Sequence, residues 1–145
     1  MLFRSRWTLG TLVQFHTAHK LTLMAHSIAA YQELGRLVAG AKRRSRALVE
    51  REYVEGFMTA LATMATPRRH TNVLQHMAGY FKDTLDASAR KELQSTIEDY
   101  RLGLVPIIVP ITLIRHHVRQ LGVSYLAGQA YLDPHPKELM LRNHV

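Results

Sequence analysis

Apolar residues in this chain recur at spacings of three and four, and no segment sustains the period of two that marks a half-buried strand. Helices are therefore the elements from which its core can be built. The clearest stripe is Val49, Tyr53, Phe57, Leu61 and Met64, preceded by Ser45 as a good N-cap. The same periodicity predicts a first helix from about Thr8 to His26 and a second from Ala29 to Ala39, closed by Gly40. The third runs from Ser45 until Thr66-Pro67 breaks it, and a fourth from about Thr71 to Leu85 packs Leu74, Met77, Phe81 and Leu85. Asp86 or Ser88 caps a fifth helix, striped by Leu93, Ile97, Tyr100 and Leu104. Pro110 suits the first turn of a sixth, which ends near Leu121-Gly122, and a short seventh covers Ser124 to Tyr131. The expectation is an all-α protein: one compact helical domain of about six to seven helices spanning residues 1–145.

Composition narrows the chemistry. There is no cysteine, which excludes disulfides, thiolate metal sites, cysteine-held iron–sulfur clusters and cysteine nucleophiles. The most apolar run, Leu102 to Ile114, has 13 residues and two prolines, too short to span a bilayer, so it reads as buried core. The opening residues carry charge but no apolar leader, and a cytoplasmic protein with no membrane partner is expected. Nineteen Lys and Arg against 11 Asp and Glu give a formal charge of +8, which favours polyanions, nucleic acid first.

Polar chemistry collects in four places. The first is the opening stretch, where His16, His19 and His26 would fall within an arc of about 80° on a continuous helix, among Leu9, Leu12 and Leu23. Polar groups inside an apolar stripe must be paired or must line a site. Three readings stand: a core network that satisfies the rings, a ligand-facing pocket with Lys20 as a phosphate donor, or a metal site. The metal reading lacks a carboxylate before Glu33 and any His-Glu-x-x-His motif.

The second is Pro67-Arg68-Arg69-His70-Thr71-Asn72, read as lying just before a helix N-terminus and therefore as a candidate anion site. On the helix that follows, Asn72, Gln75, His76, Gly79 and Lys82 share the face opposite the core stripe. Gly79 lowers helix stability there, as a close approach by another group would require. A merely solvated face is the competing account. The third is the dense basic run Lys42, Arg43, Arg44, Ser45 and Arg46, either a phosphate contact or a solvated patch. The fourth is Arg115-His116-His117-Val118-Arg119, with Tyr131, His135, Arg142 and Asn143 further on. Catalytic templates are missing: there is no phosphate-binding Gly-rich loop, no Gly-x-Ser-x-Gly, and no nucleophile set beside the histidines.

In order along the chain, Phe15-His16-Thr17-Ala18-His19-Lys20, Met24-Ala25-His26-Ser27, Tyr31-Gln32-Glu33-Leu34-Gly35-Arg36-Leu37-Val38, His70-Thr71-Asn72-Val73-Leu74-Gln75-His76 and Gly79-Tyr80-Phe81-Lys82 resemble the YbgA-like family. The likeness continues through Tyr100-Arg101, Pro106 to Leu113, Tyr131-Leu132, Pro134-His135-Pro136 and Leu141-Arg142-Asn143, nearly the whole chain. The family was long catalogued as a domain of unknown function. Its members stand alone or follow a cysteine-rich desulfidase domain related to thiouracil desulfidase and to enzymes that remove sulfur from 4-thiouridine in transfer RNA. The resemblance implies a helical domain that holds RNA. A chain without cysteine cannot carry the desulfidase cluster, and family members usually have a further helical segment before Arg6-Trp7.

The functional expectation is a transfer-RNA-binding domain rather than a catalyst, with no cofactor and no metal. Lys20, Lys42, Arg43, Arg44, Arg46, Arg68, Arg69 and Lys82 would take phosphate. His16, His19, His26, Asn72, Gln75 and His76 would line a pocket, with His16, His19 and Lys20 facing Asn72, Gln75 and His76 across one cleft. The alternatives are an enzyme with a histidine-rich pocket and a module that docks on a separate desulfidase.

Overall fold

The computed structural model describes residues 2–3 and 6–133, and every described element is helical. The chain divides into two compact units, 1–64 and 65–145.

The first unit holds α1 (Leu9–Ala18), α2 (Lys20–His26), α3 (Ile28–Ala39), a 3-10 turn at Ala41–Arg43, and α4 (Arg46–Ala62). The starts of α1, α3 and α4 are written in local chemistry. Thr8 accepts from the Thr11 N–H while Thr11 accepts from the Thr8 N–H, a reciprocal box that satisfies two otherwise orphaned donors. Ser27 and Ser45 cap α3 and α4 through the N–H groups of Ala30 and Leu48. The core gathers Trp7, Leu12, Leu23, Leu34, Val49, Tyr53 and Ala60. Helix α3 packs on α1, α2 and α4. A Cβ on Gly56 would stand 2.8 Å from Leu34 Cδ2, so α4 lies against α3 at a distance that only glycine allows without repacking.

The expected helix from Thr8 to His26 is two helices. His19 sits between them at φ −104°, ψ 8°, closing α1 and opening α2. The Phe15 carbonyl accepts from both the His19 N–H at 3.1 Å and the His19 ring at 2.9 Å, a local alternative to the regular ladder. Along the α4 stripe, Val49 and Tyr53 are buried, but Met64 lies past the helix end and is exposed.

The second unit holds α5 (Pro67–Ala78), a 3-10 turn at Gly79–Phe81, α6 (Ala87–Arg101), α7 (Ile108–Leu121), the single turn α8 (Ser124–Ala127) and a 3-10 turn at Ala130–Leu132. Helix α6 packs on α5 and α7, and α8 on α7. Its core is built from Val73, Leu74, Met77, Phe81, Leu93, Ile97, Ile107, Ile111, Ile114 and Leu126. Asp86 caps α6 through the Ala89 N–H at 2.7 Å, and Gly122 ends α7 in the left-handed region at φ +64°.

Three expectations are corrected here. The fourth helix begins at Pro67 rather than Thr71 and passes into a 3-10 turn after Ala78, because Thr66 caps it and Pro67 fills its first position. The seventh stops at Ala127. The apolar run from Leu102 is only partly core: Leu102 and Leu104 are 56% and 69% exposed, and burial resumes at Ile107. The predicted tail features His135, Arg142 and Asn143 lie outside the described residues.

Candidate functional site

In the first unit, the break at His19 sends the three histidines to different partners. His16, on α1, is 8% exposed, and its Nδ1 lies 3.0 Å from the Tyr53 hydroxyl on α4. Its ring is parallel to that of Tyr31 on α3, with centroids 5.1 Å apart and planes 4° apart. The other ring nitrogen, Nε2, is buried with no hydrogen-bond partner among the described residues. A Cβ on Gly35 would meet it at 3.5 Å, an ordinary van der Waals contact, so α3 passes close to this nitrogen. Burial holds the His16 pKa below the usual histidine value, with repulsion from His19 adding to the effect. Burial also pushes the Tyr53 phenol well up. The pair is therefore a neutral imidazole against a neutral phenol.

His19 stacks on Phe15 at 4.1 Å. Because its Nδ1 faces a carbonyl, which only accepts, that nitrogen carries the proton. The same argument applies to His26, whose Nδ1 donates to the Thr63 carbonyl at 2.7 Å, beyond the end of α4. Lys20 is half-buried, with Nζ 5.9 Å from the Tyr31 centroid, a cation–π contact. Lys20, His16 and Tyr31 thus come together, while His26 does separate structural work.

The basic run divides in two. Lys42 and Arg43 are exposed on the 3-10 turn and make no ion pair among the described residues. Arg44 grips Glu52 with two bonds of 2.7 and 2.8 Å. That hydrogen bonding holds the Glu52 carboxyl below its usual range. Arg46 donates to the Trp7 carbonyl and lies 4.8 Å from the Trp7 ring centroid. Arg44 and Arg46 are thus engaged within their own unit.

In the second unit, the segment from Pro67 is the first turns of α5 rather than a loop before it. Arg68 is exposed, and the Arg69 N–H is taken by Thr66 Oγ1 at 3.1 Å. His70 points into the core, 1% exposed, with Nδ1 2.6 Å from the Tyr131 hydroxyl, so it is not part of an outward anion site. Asn72, Gln75 and His76 are exposed along α5, and Lys82 is exposed just past it. Gly79 leaves open space: a Cβ there would meet nothing within 4 Å, so no group among the described residues makes the close approach expected of it. His117 is buried in a T-shaped contact with Phe81, with its pKa lowered by burial first and by His116 next. His116 and Arg119 are exposed. The two halves of the expected cleft belong to different units, His16, His19 and Lys20 to the first and Asn72, Gln75 and His76 to the second.

Two features escaped the sequence reading. One is a cavity of about 430 Å³ between Pro67 and the segment 100–106, where α6 ends. Tyr100 lines it, with its hydroxyl buried and unpartnered among the described residues and its pKa pushed up to about 12 by burial. The apolar character of residues 102–105 pointed to core instead. The other is the ring pair of Tyr80 and Tyr125, 5.2 Å apart and 16° from parallel. Tyr80 stood in the sequence beside Lys82, but its partner lies too far along the chain for spacing to find. Among the described residues no group of three or more His, Asp or Glu is placed to hold a metal ion, and no helix is long and apolar enough to cross a membrane.

Comparison with known proteins gives two findings. The sequence model of the family described as "Protein of unknown function (DUF1722)" matches residues 20–136. Over 137 residues the chain is 34% identical to "Uncharacterized protein YbgA" of Escherichia coli (strain K12), covering 94% of this chain and 81% of that protein. No solved structure matches.

Proposed function

This chain belongs to the YbgA-like DUF1722 family, and on that premise we propose that it is an RNA-binding helical protein that takes transfer RNA in the cytoplasm. One observation carries the reading: a net charge of +8, with Lys42, Arg43, Arg68 and Lys82 exposed and in no ion pair among the described residues. Cations left unneutralised by the protein are free to displace counterions from a phosphate backbone. The resemblance to domains fused behind transfer-RNA desulfidases favours transfer RNA within that class.

The proposal separates the arginines of the basic run. Arg44 already has its carboxylate and Arg46 its indole, so Lys42 and Arg43 carry the phosphate contacts of that segment. A gel-shift with total transfer RNA, repeated between about 50 and 200 mM salt, tests this. The wild type should lose affinity steeply, by about 0.7–0.9 in log–log slope for each phosphate neutralised. Lys42→Ala/Arg43→Ala should flatten the slope by nearly two such contacts and Arg68→Ala by one, while Arg44→Ala leaves it nearly unchanged. Absence of binding at low salt, or binding indifferent to salt, rules the proposal out.

A further inference from the structure

We propose that Tyr80 and Tyr125 form a stacking platform for an unpaired nucleobase, with Lys82 and Arg90 beside it for the adjoining phosphate. The inference rests on the RNA-binding reading and names the part of the RNA this surface takes.

The 3-10 turn at Gly79–Phe81 splits two adjacent aromatics. Phe81 is fully buried, whereas Tyr80 stays 38% exposed. Tyr80 is nonetheless held: its ring stacks on Tyr125, and it forms a T-shaped pair with the His76 ring, centroids 6.0 Å and planes 72° apart. An exposed aromatic fixed by two neighbours keeps its face in one orientation, so little side-chain freedom is lost when a planar ligand stacks on it. Gly79 leaves the ground beside it open.

The charges and amides around the rings fit a nucleotide. Lys82 is exposed and in no ion pair among the described residues. Arg90 donates to the Lys82 carbonyl at 2.8 Å, which brings a second cation to the same turn. Asp83 and Asp86 are the acidic groups nearby in sequence, and Asp86 is occupied in capping α6. Asn72 and Gln75, exposed on the preceding turns of α5, carry amides that can read the edge of a base. Stacking needs a base that is out of its duplex, so the platform selects single-stranded RNA, loops or ends rather than paired stems.

The test uses the full chain and two labelled probes, a single-stranded RNA of about twelve nucleotides and its duplex, read by fluorescence anisotropy. The wild type should prefer the single strand. Tyr80→Ala and Tyr80→Leu should each lose about tenfold on that probe, whereas Tyr80→Phe, which keeps the ring face, should bind within about twofold of wild type. The salt slope should be unchanged by Tyr80→Ala and flattened by Lys82→Ala. Melting followed by circular dichroism identifies any variant that fails through unfolding, and the Tyr80→Leu and Tyr80→Phe pair then decides. Equal binding of both probes overturns the platform, as does full affinity in Tyr80→Ala or Tyr80→Leu. If the wild type binds transfer RNA at low salt but neither probe, the platform alone falls; if it binds none of the three, the RNA reading falls and the platform with it. If it binds both probes and Tyr80 is indifferent, the platform alone falls.

Discussion

His16 packs against Tyr31 and Tyr53 with one nitrogen bonded and the other sealed, and a second proton would place an uncompensated cation there. The facing groups are His19, Lys20, Tyr31 and Tyr53, none of which is a carboxylate. The direction of the pH effect follows. Above the ordinary pKa of 6.5 both native and unfolded chains hold a neutral ring, so this contribution to stability is complete. Below it the unfolded chain takes a proton that the native ring refuses, and stability falls until the lowered native pKa is passed. His117 acts in the same direction in the second unit. The urea midpoint should therefore be lower at about pH 5 than at about pH 7.5, and His16→Gln should shrink the difference. Tyr53→Phe removes the hydroxyl that His16 Nδ1 meets at 3.0 Å and should cost about 1–3 kcal/mol in denaturant titration at neutral pH. The sequence marked His16 as anomalous because it falls in an apolar stripe. It could not name Tyr53, 37 residues on, because that contact depends on how α4 crosses α1.

At the scale of elements, the capped ends at Ser45, Asp86 and Gly122 were legible, whereas the interruptions of helices were not. Ser45, Asp86 and Gly122 are where the capping chemistry of their side chains and backbone put them. The break at His19 is different. Nothing in periodicity foretells that a ring will return to the carbonyl four residues back. A proline that stops one helix can equally open the next, and Pro67 stands at the first position of α5. The glycines give opposite expectations that a melting experiment can compare. Gly79 has helical φ and open space, so Gly79→Ala should stabilise by about 0.5–1 kcal/mol. Gly122 sits at φ +64°, so Gly122→Ala should destabilise by about 1 kcal/mol.

For the whole molecule, charge was the most readable property and its allocation the least. The +8 excess is plain in the composition, but which cations remain available depends on Glu52 reaching Arg44 and Trp7 lying under Arg46. Those contacts cross 8 and 39 residues of chain, beyond what the local pattern of a basic run conveys. Helical class followed from periodicity, whereas division into units at 64–65 depends on which stripes choose each other. The packing of Trp7 also has a practical consequence. It is the sole tryptophan of the chain, buried in the first unit under a guanidinium. Indole emission is therefore an optical label that nature has already attached to one half of the polypeptide. Comparing its denaturation curve with that of far-ultraviolet ellipticity, to which both halves contribute, will reveal whether the halves melt as one cooperative body or in succession.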